Sequence, residues 1–282
     1  MSTRGFLYPP DDQPPRFPAG RQLPRVLLYA AGQLAMFFVL LQVYKVARKA
    51  FIPPDPAIAY DHAKDVLHLE ERLGLMFELD LQRWVLDQGD WLIKGFNYFY
   101  AYYQWTFYAC IIFLAIMAPV RFRYMRRAYL ISMVIATPMY LIYPLAPPRF
   151  MGDHGWPFVD ALSVYGPNYF SDKGIVTANR FAAMPSMHVG WTTFAGICLM
   201  LAVPWRKVGI ALFALLTTAI VFTVMVTGNH YWLDGVGGWL VIAAAFIINR
   251  LLPYPLPIRW PWQRERPATV AEQPAEATST PL

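Results

Sequence analysis

Six apolar runs, each close to the length of a bilayer-crossing helix, limit what this chain can fold into more than any other feature. They cover residues 26–44, 95–120, 128–145, 186–205, 208–226 and 231–248. Four hold no Asp, Glu, Lys, Arg or His, and the other two hold one such residue each, His188 and Asp234. About 20 apolar residues in a helix cross the hydrocarbon core of a membrane. Backbone in lipid must satisfy its own hydrogen bonds, which favours helices for runs of this length. The expected fold is an all-α membrane protein with six transmembrane helices. Composition agrees, since only 15% of the 282 residues are charged, where a soluble domain carries about a quarter. The net charge of +6 comes from basic residues that flank the apolar runs. They are topology signals, and nucleic acid is not expected as a partner.

Between and around the spans the chain changes character. Residues 1–24 hold six prolines and no apolar run, which reads as a disordered tail without a cleavable signal. Residues 25–252 form the membrane domain, and 253–282 form a second disordered tail. Within that domain, residues 57–75 and 79–92 mix leucines with Asp, Glu, Lys and Arg at helical spacing. Too charged to cross lipid, they are expected as one or two interfacial amphipathic helices between 55 and 92. His62 and His68 there read as solvated side chains. Arg121, Arg123, Arg126 and Arg127 read as a short basic loop, and Pro138 as a kink that a membrane helix tolerates.

Six spans put both termini on one side. That side collects 14 of the 24 Lys and Arg residues, so the termini are expected in the cytoplasm and the opposite loops outside. Lys45, Arg48 and Lys49 run against this rule. Cys110 and Cys198 lie inside apolar runs and suit neither a disulfide framework nor a metal site.

Three polar segments then arrive at one membrane face: 146–150 with Arg149, 179–188 with His188, and 228–234 with His230 and Asp234. Ionisable groups beside spanning helices are costly and mark function. In Gly228-Asn229-His230-Tyr231-Trp232-Leu233-Asp234 a histidine and a carboxylate stand four residues apart, one helical turn. The carboxylate can fix the imidazole's tautomer and stabilise its charged form. Ser186 and Met187 open a helix whose first N–H groups can face an anion. Asn229 reads as a cap for the last helix, Gly235, Gly237 and Gly238 as sites of close helix packing, and His154 as exposed.

The segments Pro185-Ser186-Met187-His188 and His230-Tyr231-Trp232-Leu233-Asp234 resemble the second and third signature motifs of the type 2 phosphatidic acid phosphatase superfamily. The Ala146-Pro147-Pro148 segment and the run 181–188 are similar to its inositol phosphorylceramide synthase-like, inositolphosphotransferase branch. The resemblance covers roughly residues 60–250 and implies roles residue by residue. His230 is the expected nucleophile, forming a phosphohistidine; Asp234 orients it; His188 protonates the leaving oxygen. Ser186 and the Met187 region are expected to hold phosphate oxygens. The superfamily's first motif is missing, and Val224 stands where the third motif has arginine, as in that branch. Positive charge is therefore expected from Arg149, then from Arg180 and Lys173. Gln104 stands where many bacterial relatives carry histidine.

The expected activity is transfer of a lipid-linked phosphate headgroup to a lipid or polyol hydroxyl, with a lipid phosphate phosphatase using water as the alternative. A membrane lipid with a phosphate headgroup is the expected substrate and the bilayer the expected surroundings. No cofactor and no metal is called for. The setting is a plasma membrane, taken as bacterial, with the site on the outer face. A transporter or scaffold with a degenerate site is the contrasting class, and the three acid–base residues argue against it.

Overall fold

The computed structural model describes residues 7–9, 12, 14, 15, 20, 23–47, 55–167 and 179–253. Much of the N-terminal tail, nearly all of the C-terminal tail, and Lys173 lie outside the described residues. Among those described, the chain forms α1 (Leu23–Ala47), α2 (Pro56–Leu73), α3 (Glu78–Asp87), α4 (Asp90–Met117), α5 (Pro119–Ile142), α6 (Ala161–Tyr165), α7 (Met187–Ala202), α8 (Arg206–Val226) and α9 (Trp232–Leu251). Short 3₁₀ turns at Pro148–Phe150 and Gly152–His154 interrupt the connection after α5. The only sheet-like pairing among the described residues is an isolated bridge between Leu145 and Ala182.

Four helices are long and apolar enough to cross a membrane: α1 over Leu23–Tyr44, α4, α8 and α9. Helix α7 is as apolar but has 16 residues, or about 24 Å of length. It is the central helix, packed on α8, α4 and α9, and 12 of its 16 residues are buried. A helix sheathed by its neighbours need not match the bilayer on its own.

Helix α5 differs from the sequence expectation. Arg121, Arg123, Arg126 and Arg127 are not a loop; α4 ends at Met117 and α5 begins at Pro119, so all four ride in its first turns. Proline at a helix's first position costs no hydrogen bond, and the arginines find acceptors. Arg121 donates to the Leu201 carbonyl at 2.6 Å and pairs with Asp12 at 2.7 Å. Arg126 donates to Gln33 at 2.5 Å, and Arg127 to the Asn249 carbonyl at 2.5 Å. Leu201 and Asn249 belong to the last turns of α7 and α9, where carbonyls lack intrahelical donors. Pro138 lies inside α5 without ending it.

At the other end, α2 starts on Asp55, whose side chain accepts the Ala57 N–H at 2.9 Å, and stops at Gly74 in the left-handed region. Its buried face is Ala59, Ala63, Val66, Leu67 and Glu70. That face is covered by protein: Leu145, Ala146, Met151, Phe158 and Tyr231 share its apolar cluster. His62, expected as a solvated side chain, is half-buried: its ring stacks on Tyr143 at 4.1 Å and Nδ1 lies 2.8 Å from the Pro144 carbonyl. His68 is exposed beside Glu71 and Trp156. The α2 region and the connection after α5 together roof one end of the bundle.

Candidate active site

The end of α5, the start of α7, the end of α8 and the start of α9 meet beneath this roof: Tyr140 of α5 donates to the Pro185 carbonyl before α7, and the Ser186 N–H donates to the Asp234 carbonyl of α9. Helix α7 begins at Ser186, whose hydroxyl accepts the Val189 N–H at 3.3 Å. The Ser186 N–H is itself committed to the Asp234 carbonyl at 2.8 Å. Ser186 therefore ties the starts of α7 and α9 together. For an anion it keeps its O–H, while Met187 and His188 carry N–H groups that a first helical turn leaves without an intrahelical partner. The two helices approach through glycine: a Cβ on Gly238 would lie 2.2 Å from the Ser186 carbonyl oxygen and 3.1 Å from the Gly190 nitrogen. Of the three glycines expected at a packing surface, Gly238 has the tightest contact, and Gly235 and Gly237 have only ordinary ones.

His230 and Asp234 do meet, although not as two residues on a helix face. Tyr231 is the N-cap of α9 with extended backbone, so His230 lies outside the helix. Asp234, in the first turn, folds back so that Oδ2 accepts the Tyr231 N–H at 3.0 Å. The same oxygen lies 3.4 Å from His230 Nδ1. A capping interaction, rather than helical stacking, brings carboxylate and imidazole together. Asn229 is no helix cap; its amide donates to Thr227 at 2.8 Å.

The partners of the His230 ring assign its tautomer. Nδ1 faces two acceptors, the Ala183 carbonyl at 2.9 Å and Asp234, so it carries the proton. Nε2 then holds a lone pair, and His188 Nδ1 lies 3.1 Å from it. The two ring centres are 5.3 Å apart. His188 is walled by two rings of α4, Tyr100 at 4.3 Å and Tyr103 at 4.5 Å. These tyrosines are not among the residues the sequence motifs single out; their three-residue spacing, which puts both on one face of α4, is the available signal.

Arg149 sits in the Pro148–Phe150 turn, where its N–H donates to the Gly228 carbonyl at 2.8 Å. Gly228 has φ of 66°, and a Cβ there would meet Arg149 Cβ at 3.2 Å and Gln82 Nε2 at 3.0 Å. The turn before His230 thus requires glycine both for its backbone angle and for the closeness of Arg149. The guanidinium is buried and paired through Nη1 with both oxygens of Asp160, at 3.1 and 3.2 Å. Arg180 is exposed on the turn before Phe181. Gln104 donates to Tyr108 at 2.6 Å, and His154 is exposed with its ring 4.7 Å from that of Tyr60.

Two more carboxyls, neither anticipated, lie behind Asp234. Glu78 accepts the Trp232 N–H at 2.8 Å, and Glu70 reaches the same turn from α2. Each is on the buried face of its helix; that position, at the spacing of the apolar residues, was the signal in the sequence. Among the described residues no group of three or more His, Cys, Asp or Glu side chains is disposed to hold a metal ion.

Fold and site together define an all-helical protein with membrane-length helices and a paired-histidine, carboxylate-backed centre at one end of the bundle. The family model of the PAP2 superfamily matches residues 64–248, and the chain belongs to that superfamily. Its members are phosphatase-type enzymes, which supports an enzyme with phosphatase or phosphotransferase activity on phosphate esters. No curated protein and no solved structure matches the chain.

Proposed function

We propose that the chain is an integral membrane phosphotransferase that moves a phosphate-containing headgroup from a lipid to a lipid or polyol hydroxyl through a phosphohistidine on His230. The observation that carries this is the ordered line Asp234–His230–His188, with contacts of 3.4 and 3.1 Å. It supplies a neutral nucleophilic nitrogen, a carboxylate to stabilise the cation formed on attack, and a second imidazole for the proton.

In the first step His230 Nε2 attacks phosphorus. A P–N bond forms as the P–O bond to the lipid alkoxide breaks, and protonated His188 gives that oxygen its proton. In the second step an acceptor hydroxyl gives its proton to His188 and attacks phosphorus; the P–N bond breaks and His230 is restored. At rest His188 Nδ1 occupies the lone pair that must attack, so phosphate takes its place and His188 turns to the leaving oxygen. Arg149 is the proposed phosphate ligand, with Asp160 fixing one edge of its guanidinium; Ser186, with the Met187 N–H, is the second. Arg180 and Lys173 are further candidates.

Six helices are proposed to span the membrane, α1, α4, α5, α7, α8 and α9, with residues 25–252 as one domain. The termini lie in the cytoplasm and the site at the outer face of a bacterial plasma membrane. The roof of α2 and the Leu145–Phe158 region supports transfer over hydrolysis, since an alcohol acceptor competes only where water is limited. Buried Val224, where the superfamily motif has arginine, supports the inositolphosphotransferase-like branch. The test is product analysis with a panel of phospholipids, with and without inositol. A new phosphodiester supports the transferase; inorganic phosphate alone makes the protein a phosphatase; no turnover of any phosphate ester rejects the reading.

A further inference from the structure

Gln82 of α3 and Asn97 of α4 are enclosed amides, at 1% and 0% exposure. A buried amide is costly unless its hydrogens find acceptors, so the acceptors show what each side chain holds. Gln82 gives its two hydrogens to the carbonyls of Val159, at 3.0 Å, and Val226, at 3.1 Å. Its oxygen accepts the Val159 N–H at 2.8 Å. Two acceptors on one side and one donor on the other assign the amide's nitrogen and oxygen. Asn97 donates to the Ala161 carbonyl at 2.7 Å. The residue between Val159 and Ala161 is Asp160.

Asp160 caps α6, its side chain accepting the Ser163 N–H at 3.2 Å, and holds Arg149 Nη1 with both oxygens. Two amides from two helices thus pin the residues on either side of the carboxylate that fixes one edge of the guanidinium. Gln82 is tied at its other end to Val226, the last residue of α8, where carbonyls lack intrahelical donors. Two residues on, the Gly228 carbonyl takes the Arg149 N–H at 2.8 Å. The contacts close a ring that runs from Gln82 through Val159 and Asp160 to Arg149, then through Gly228 and Val226 back to Gln82. A Cβ on Gly228 would fall 3.0 Å from Gln82 Nε2 and 3.2 Å from Arg149 Cβ, so the ring is closely packed where it meets the turn before His230. His230 has anchors of its own: its N–H lies 3.2 Å from the Val224 carbonyl, and its ring is held by the Ala183 carbonyl and Asp234. Breaking the ring at Gln82 releases the Asp160–Arg149 pair and leaves the imidazole in place.

We infer that Gln82, seconded by Asn97, is a positioning residue for Arg149: by fixing Asp160 against the end of α8, it aims the guanidinium at the phosphate that His230 attacks. This deepens the reading of Arg149 as phosphate ligand and His230 as nucleophile, and rests on it. An apolar side chain at 82 would fill the space but leave the direction of the Asp160 carboxylate unset.

The experiment measures inhibition of phosphate-ester turnover by orthovanadate, using the full chain in detergent. Vanadate imitates the transferring phosphoryl group at the transition state and calls on Arg149 without an acceptor. Gln82→Met roughly keeps the volume and removes all three hydrogen bonds. It is expected to raise the vanadate inhibition constant about tenfold, as misdirecting a charge-assisted contact does. Independent sites multiply their effects to within about twofold, so a cycle with Arg149→Ala separates aiming from general loosening. In Arg149→Ala, Gln82→Met is expected to add less than about twofold, because the group it aims is gone. In Ser186→Ala, which removes the second proposed ligand, it is expected to add its full effect. Asn97→Leu is the second variant should Gln82→Met fail to fold, with the same pattern expected. A vanadate constant unchanged by these variants, or a full further loss in Arg149→Ala, makes them packing residues and overturns the inference. A wild-type chain that turns over no phosphate ester sinks the proposed reaction, and the inference with it; the wild-type measurement alone tells the two failures apart.

Discussion

Gly238→Ala puts the close approach of α7 and α9 to the test. The added carbon would lie 2.2 Å from the Ser186 carbonyl oxygen, while real Cβ atoms stay beyond 3.0 Å. The obstruction is backbone on both sides, so no side chain can turn away; the helix starts must part by about 1 Å to reach ordinary contact. That movement acts on the Ser186 N–H bond to the Asp234 carbonyl, now 2.8 Å, and on the 3.1 Å contact between the histidines. Each histidine belongs to one of the two separating segments. A misplacement of about 1 Å costs on the order of 10²-fold in rate, and the overpacking about 1–3 kcal/mol of stability. Gly235→Ala is the internal control: its Cβ would sit 3.6 Å from Val189, and alanine favours a helix by about 0.5–1 kcal/mol over glycine. Turnover of a phosphate ester in detergent is the assay, alongside thermal unfolding of both variants. If Gly238→Ala retains turnover within about threefold of Gly235→Ala, well short of the loss expected for such a shift, the contact does not set the alignment of the histidines and the argument is wrong.

His230→Ala is expected to abolish turnover and His188→Ala to lower kcat by roughly 10²–10⁴-fold; near-normal activity in either rejects the assignment. Arg149→Ala is expected to reduce kcat/KM at least about tenfold, as loss of a charge-assisted contact does, with Arg180→Ala much milder; equal effects count against Arg149 as the phosphate ligand. Glu70 and Glu78 bind protons more tightly folded than unfolded, so unfolding releases protons and stability falls as pH rises. The window runs from about 4.5 through about 7 for Glu78 and about 9 for Glu70. A falling unfolding temperature across that window, flattened by Glu70→Gln, is the expected outcome; a Glu70→Gln profile parallel to wild type contradicts it.

Apolar run length made the helices of the bundle legible, because 20 uncharged residues have few other uses. Boundaries are less legible where charge suggests a loop. Arg121 to Arg127 look solvated in sequence, yet a helix can carry them when neighbouring helices end beside it with open carbonyls. The reverse holds for α2: its amphipathic pattern predicts an interfacial helix with one face on lipid, while the structure fills that face with Leu145, Ala146 and Tyr231. Periodicity shows that a face is buried and is silent on what buries it. At the candidate site, the motifs located the histidines and Asp234, but their meeting depends on the Tyr231 cap geometry. Tyr100, Tyr103, Glu70 and Glu78 were missed because their partners are distant in sequence.

The opposite ends of α7 and α9 explain why this fold can hold a buried charged centre at all. Carboxyl groups cluster at the start of α9, and Ser186 caps the start of α7. At the far ends Arg121 and Arg127 take the Leu201 and Asn249 carbonyls. Carboxyl oxygens that accept the open N–H groups of an N-terminus and cations on the open carbonyls of a C-terminus both satisfy helix ends. The arginines therefore do more than mark topology. They tie the far ends of α7 and α9 to α5, while the Gly238 contact and the Ser186–Asp234 backbone bond hold the two histidine-bearing segments together at the near ends.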